Sequence, residues 1–270
     1  MRMIPGIQRS RTWRALAAGL LLLLTVPAVL RGAEEAEEAR EAEEEVGPEV
    51  REVLSQLDKA NEKLKDLTAR IIYERAIPLL DEKQRTRGTL VVKKPDCIAL
   101  ELGKPRNEDV YTNGKTWWVV SHDQKEVEIY EASKEASREA AFLQFGYGSG
   151  SDALLEDYSV ELAGKSQKEE DDRVVTLYRL RFLPRKKKGQ ERPPRYSLIE
   201  VELSDARWLP HVLVLHESGG EIVHTYELSK FELNTDVDAK QFDYKPPSGY
   251  VVHHPEQSLA QPGATGANGN

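Results

Sequence analysis

The chain has few of the residues that disulfides, metal sites and hydrolases require. Its only cysteine is Cys97, so no disulfide can form within the chain and stability must come from a packed core. Its six histidines form no HExxH motif, and no GxSxG or phosphate-binding loop occurs. The adjacent His253 and His254 have no evident third ligand, so we interpret them as solvated rather than metal-binding. We therefore expect no enzymatic activity, no catalytic residue, no metal and no cofactor.

The chain also has no apolar run that is long enough to span a membrane. The run from Ala15 to Leu24 falls short of the ~20 residues a spanning helix needs, and it is followed by the small residues of Val26-Pro27-Ala28. The residues before it include Arg2, Arg9, Arg11 and Arg14. This pattern predicts a secretory signal peptide at residues 1–28 and a soluble periplasmic protein, with an uncleaved anchor as the alternative.

Two segments that flank the main body have little to bury. Residues 34–45 include eight glutamates, in a chain whose formal net charge is −8. We interpret residues 29–47 as a solvated acidic linker, with partner binding as the alternative. Residues 255–270 are rich in glycine, alanine, glutamine and asparagine, which predicts a disordered tail. Residues 48–254 are then long enough for one domain with a sizeable core.

Within that domain the hydrophobic period changes from about 3.6 to 2. A Gly47-Pro48 break followed by apolar residues at helical spacing predicts a leading amphipathic helix over residues 48–68. Residues 133–155 lose strand character, and we predict two short helices there around a mobile loop. Strands are predicted at 69–75, 86–93, 98–102, 116–120, 127–130, 158–162, 174–183, 196–203, 211–217 and 221–231. Short connections, including an Asn113-Gly114 turn, favour one antiparallel sheet.

Alternation along these strands predicts one apolar face. Tyr178 and Leu180 point to one side of their strand, and Arg179 and Arg181 point to the other. Of the two adjacent tryptophans, Trp117 and Trp118, one is expected inside and the other at the surface. A sheet of this length must curl, and few helices are available to cover its concave side. Periodicity alone leaves open whether that side encloses a cavity or a filled core.

The order of segments resembles the LolA family of periplasmic lipoprotein carriers. The resemblance runs from about residue 50 to residue 252. It rests on the leading helix, the helical middle and four segments: GTLVVKKP at 88–95, YTNGKTWW at 111–118, LSDARWLP at 203–210 and VDAKQFDYKPPSG at 237–249. It implies an α+β, mainly β fold: a single curved antiparallel sheet that forms an open half-barrel with short lid helices. It also implies a monomeric carrier that takes lipoprotein acyl chains from an inner-membrane donor transporter to an outer-membrane acceptor.

The resemblance also implies which residues line the site. Lid residues would be Phe142, Leu143 and Phe145, beside a glycine-rich loop, together with Lys94. Family carriers commonly have an arginine at the position of Lys94, and lysine lacks its planar fork of donors. Ordinary core packing, or a solvated lysine at position 94, is the alternative. The acyl cavity would be lined by Leu90, Val92, Ile98, Leu100, Trp117, Tyr178 and Leu180.

One basic cluster suggests a surface contact. Arg185, Lys186, Lys187 and Lys188 lie between two predicted strands, where they would meet anionic lipid headgroups or an acidic docking surface. The alternative is a solvated insertion. Nucleic acid does not fit an exported acidic protein. Two other functions stay open: transport of a different envelope lipid, and a sensor domain that acts through a protein partner, although such sensors usually carry a further carboxy-terminal domain.

We predict cleavage of the signal peptide after Ala28, because the small-residue site ends there. The exported protein should then begin at Val29, which intact-protein mass spectrometry of a periplasmic extract would show. Recovery of the uncleaved chain in the membrane fraction would instead support the anchor.

Overall fold

The computed structural model describes residues 46–131, 147, 151–156, 158–170, 172–185 and 195–255. These residues all belong to one compact unit, Glu45–Asn270. The predicted signal peptide and nearly all of the acidic linker and carboxy-terminal tail lie outside the described residues, so these three segments stay predictions.

The leading helix α1 spans Pro48–Lys63 and packs one apolar face against the sheet. Proline suits its first turn because the amide that proline lacks would have no partner inside the helix. The predicted end at residue 68 is wrong: the backbone becomes extended at Leu64, and Leu67 already lies in the first strand. Leu64 and Leu67 continue the helical spacing, but Leu67 also fits the alternation of that strand. The residues that α1 buries are Val50, Val53, Leu54, Leu57 and Asn61.

The described residues form one twelve-stranded sheet. A second short helix, α2, spans Asp152–Leu155, and short 3-10 turns occupy Pro78–Leu80 and Ala239–Phe242. The strands are β1 (Asp66–Ile77), β2 (Glu82–Lys93), β3 (Cys97–Leu102), β4 (Glu108–Asn113), β5 (Thr116–Ser121), β6 (Glu126–Glu131), β7 (Tyr158–Glu170), β8 (Arg173–Pro184), β9 (Tyr196–Ser204), β10 (Pro210–Glu217), β11 (Val223–Leu233) and β12 (Val251–His253).

The sheet is built from two meanders that meet at β1 and β11. Its order is β12-β6-β5-β4-β3-β2-β1-β11-β10-β9-β8-β7, and every pair is antiparallel except β12 with β6. The prediction of a single curved, open antiparallel sheet is confirmed. Strands β4 and β12 are absent from the sequence prediction. Strand β4 is largely polar, and β12 exists only through its parallel pairing with a strand more than a hundred residues earlier.

We call the face on which α1 packs the inner face. Apolar side chains on this face lie opposite one another on neighbouring strands. Leu180 lies opposite Val201, and Leu213 lies opposite Tyr226. On the other side of β1, Leu90 lies opposite both Ala69 and Leu100. The apolar face predicted from alternation is therefore continuous from β8 to β3.

The opposite, outer face also carries a core over β3 to β6. Trp118 and Val120 are buried there against Phe242, with Val237 and Tyr250 at the margin of the same cluster. The expectation that one tryptophan lies at the surface is wrong, because the segment that follows β11 returns across this face and covers Trp118. Trp117 is also buried, on the inner face.

Gly88 makes the fold sensitive to a single methyl group. A Cβ at this position would lie 2.0 Å from the backbone oxygen of Glu101 on the neighbouring strand. We expect Gly88→Ala to lower the free energy of unfolding by about 1–3 kcal/mol, since β2 and β3 would have to separate locally. Chemical denaturation measures this. The matched control is Gly164→Ala in β7, where nothing lies within 4 Å of the new Cβ; equal losses for the two variants would contradict the steric account.

Candidate functional site

Five of the seven predicted cavity residues lie in one apolar cluster on the inner face. We call it the distal cluster. Each of the five is at most 7% exposed, and the cluster also contains Tyr147, Leu209 and Leu228. The structure therefore brings residues from β2, β3 and β5 to one place, next to the loop that precedes β10. The five residues are Leu90, Val92, Ile98, Leu100 and Trp117.

The other two predicted cavity residues belong to a neighbouring cluster beneath helix α1, which we call the proximal cluster. Leu180 is fully buried in this proximal cluster, and Tyr178 packs at its margin. Tyr226 contacts both clusters, so they form one apolar surface along the inner face. Sequence reasoning missed Trp208, whose ring lies 5.3 Å from that of Tyr178. The only signal for it was its place in the LSDARWLP segment.

The distal cluster is filled by protein side chains. Leu64, which follows α1, is buried in it, and Ala60 of the helix packs against it. Tyr147 is buried in it as well, and its hydroxyl donates a hydrogen bond to the carbonyl of Pro210. Burial raises the pKa of Tyr147 far above its ordinary value, so the hydroxyl stays protonated and able to donate. Any ligand on this part of the face must displace groups that already occupy it.

The predicted lid residues Phe142, Leu143 and Phe145 lie outside the described residues. Two described residues of the same region are attached to different elements. Tyr147 bonds to β10, and Ser151 donates from its amide and its hydroxyl to the carboxylate of Asp58 on α1, at 2.9 and 2.6 Å. This region is thereby connected both to the sheet and to the helix that covers it.

Lys94 fastens the end of α1. Its ammonium donates to the carbonyl of Asn61 at 2.7 Å, and its amide donates to the carbonyl of Lys65 at 2.9 Å. Carbonyls in the last turn of a helix have no partner inside the helix, so a cation there is favourable. Lys94 thus holds the helix that covers the inner face, whereas a direct contact with the predicted lid residues involves positions that the structure does not describe.

The predicted basic contact is described only at its first residue. The guanidinium of Arg185 donates from Nε to the backbone oxygens of Leu155 and Tyr158, at 3.1 and 3.3 Å. Arg185 therefore ties α2 to the start of β7. Lys186, Lys187 and Lys188 lie outside the described residues.

Two kinds of feature are absent from the described part of the chain. None of its helices combines the length and the apolar character that crossing a bilayer would require. Over the same residues, no three side chains of histidine, cysteine, aspartate or glutamate come together as metal ligands would.

Comparison with known proteins gives a family match and a set of distant structural neighbours. Residues 78–245, more than half of the chain, match the family described as outer membrane lipoprotein carrier protein LolA. No curated protein matches the chain. Solved structures of similar fold include an uncharacterized conserved protein from Thermus thermophilus, 13% identical, covering 76% of this chain and 99% of its own with a TM-score of 0.47.

Two other solved structures have names that refer to lipoproteins. A putative outer membrane lipoprotein-sorting protein domain from Vibrio parahaemolyticus is 13% identical and covers 71% of this chain and 95% of its own, with a TM-score of 0.39. The Mycobacterium tuberculosis lipoprotein LppX is 12% identical and covers 69% of this chain and 97% of its own, with a TM-score of 0.37.

Removing the ammonium of Lys94 should loosen the end of α1. We expect Lys94→Met to lower the free energy of unfolding by about 1–2 kcal/mol, because the Asn61 carbonyl loses a charged donor. Amide hydrogen exchange should also become faster in the last turn of the helix. The exposed Lys104 provides the control, and Lys104→Met should leave both quantities unchanged. Unchanged protection of the helix end in Lys94→Met would show that the bond contributes nothing.

Proposed function

Because this chain belongs to the LolA family of outer membrane lipoprotein carrier proteins, we propose that it is a periplasmic carrier. It binds the acyl chains of lipoproteins on the inner face and shuttles them from an inner-membrane donor transporter to an outer-membrane acceptor. It acts as a monomer and needs no catalytic group. Leu90, Val92, Ile98, Leu100, Trp117, Tyr178 and Leu180 contact the chains, and Phe142, Leu143 and Phe145 act as the lid, with Lys94 holding α1.

The observation that supports this proposal is the continuous apolar surface of the inner face. Its two clusters meet at Tyr226 and extend from β8 to β5. An acyl chain is long, flexible and apolar. A long apolar surface without catalytic groups therefore fits an acyl chain better than it fits a compact substrate. The family match and the inner face therefore point to the same class of ligand.

The energetics of such binding follow from the burial already present. Since Leu90 and Ile98 are shielded from water without cargo, an acyl chain exchanges one set of apolar contacts for another. The net gain then comes from removing the chain itself from water, at ~0.8 kcal/mol per methylene, minus the cost of ordering it. Release needs only an acceptor that binds the chain better, or docking that opens the inner face.

A matched pair of valines separates cargo binding from general stability. Val92 is buried on the inner face and Val120 on the outer face, with exposures of 1% and 0%. Valine to threonine nearly preserves shape but buries a hydroxyl, which costs about 1–3 kcal/mol without a partner. We expect Val92→Thr to weaken binding of a synthetic triacylated lipopeptide by about tenfold or more, and Val120→Thr to leave it unchanged. Thermal melting should show similar destabilisation of both.

The same titration discriminates among the functions that the sequence left open. Equal binding by the two variants would place the ligand elsewhere than on the inner face. Preference for a free phospholipid over the lipopeptide would favour a carrier of another envelope lipid. A protein that binds neither, and carries no lipid in native mass spectrometry, would favour the sensor domain that acts through a protein partner.

The segment from Lys186 to Lys188 remains our proposal for contact with headgroups or with a docking partner.

A further inference from the structure

A pocket of about 230 Å³ opens beside the distal cluster. Its walls come from the turn end of the β7–β8 hairpin, the turn between β9 and β10, and the end of β11. Ligand pockets that enclose a whole drug-sized molecule usually measure about 300–1,000 Å³. The pocket is therefore large enough for one polar group but too small for an entire lipid.

Positive charge predominates at the rim of the pocket. Lys168 of β7 and Lys230 of β11 line it, and among the described residues neither ammonium group forms an ion pair or a hydrogen bond. Arg207 lines it too, with its guanidinium 2.7 Å from the carboxylate of Glu170 and 5.8 Å from the ring centre of Phe231. Three cations against one carboxylate leave a net charge of about +2, in a chain whose net charge is −8.

The fifth titratable group on the rim, His211, does not offset this charge. Its Nε2 lies 3.1 Å from a carboxylate oxygen of Glu202. Burial lowers the pKa of His211 below its ordinary value, despite the opposing effect of Glu202. The imidazole is therefore mainly neutral at neutral pH, and an anion in the pocket would face the ammonium groups of Lys168 and Lys230.

The floor of the pocket is apolar and belongs to the proposed acyl site. Leu209, Leu228 and Phe231 line the pocket. The same three residues pack in the distal cluster with Leu90 and Ile98. The pocket thus combines cationic side chains with residues of the apolar surface of the inner face.

From this juxtaposition we infer that the pocket binds an anionic headgroup, a phosphate or a carboxylate, of an amphiphile whose acyl chain lies on the inner face. The inference rests on the proposed function and adds to it a preference in cargo: an acylated molecule with negative charge next to its chain. Lys168 and Lys230 supply the attraction. Arg207, already paired with Glu170, positions the turn and offers its remaining donors.

The test compares ligands that differ in one property each. The secreted protein is titrated by calorimetry with a lysophosphatidylglycerol, with a monoacylglycerol of the same chain length, and with glycerol 3-phosphate. The first has chain and charge, the second has only the chain and the third only the charge. We expect the anionic lipid to bind about tenfold more tightly than the neutral one, with a preference that diminishes as salt is raised.

Charge-removing variants locate the preference. The double variant Lys168→Gln/Lys230→Gln should bind both lipids with similar affinity. The control Lys115→Gln/Lys245→Gln removes the same charge from exposed lysines that do not line the pocket, and it should keep the preference. Because all four lysines are exposed, the variants should fold normally, which thermal melting verifies.

The outcomes separate this inference from the function on which it rests. Equal binding of the two lipids by the unaltered protein, or an undiminished preference in the pocket variant, would overturn the headgroup site and leave the carrier intact. Tight binding of glycerol 3-phosphate alone, lost in the pocket variant, would identify a site for a free phosphate compound and overturn the lipid assignment. Failure to bind either lipid would overturn the headgroup site, and the carrier would fall with it only if the triacylated lipopeptide also failed to bind.

Discussion

The pairing of β1 with β11 is the constraint on which the rest of the structure depends. It runs from Leu67 opposite Leu233 to Ala76 opposite Val223 and joins segments about 150 residues apart in sequence. Closing so long a loop is costly, although the cost rises only slowly with length. Side-chain contacts reinforce the pair: the Tyr73 hydroxyl lies 2.9 Å from Nδ1 of His224, and the rings of Tyr73 and Tyr226 are 5.0 Å apart.

Without this pair the chain would form two separate meanders, one from β1 to β6 and one from β7 to β11. Each would carry only part of the apolar surface, and neither would carry the whole inner face. Tyr226, on β11, contacts both clusters because its strand lies at the junction. The same junction lets α1 pack against the proximal cluster while Leu64, just beyond its end, enters the distal one.

An irregularity in this pair also shapes the cationic pocket. The register between β1 and β11 shifts between Thr68 and Arg70, and Lys230 has a φ of 53° there, in the left-handed region. A bulge interrupts strict alternation, so consecutive residues can reach the same side. All four residues from Leu228 to Phe231 line the pocket. The apolar floor and Lys230 thus come from one short segment of β11.

Local pattern in the sequence determined the start of α1, the positions of ten strands and the apolar alternation of the inner face, because these depend on neighbours along the chain. The segment order was enough to indicate the family. Tertiary structure alone decided the end of α1 at Lys63, the burial of Trp118 and the pairing of β12, since each depends on a partner distant in sequence. Tertiary structure also placed Lys168, Arg207 and Lys230 around one pocket. No local spacing connects these three residues, and the ladders that join β7 to β11 bring them together with the turn after β9.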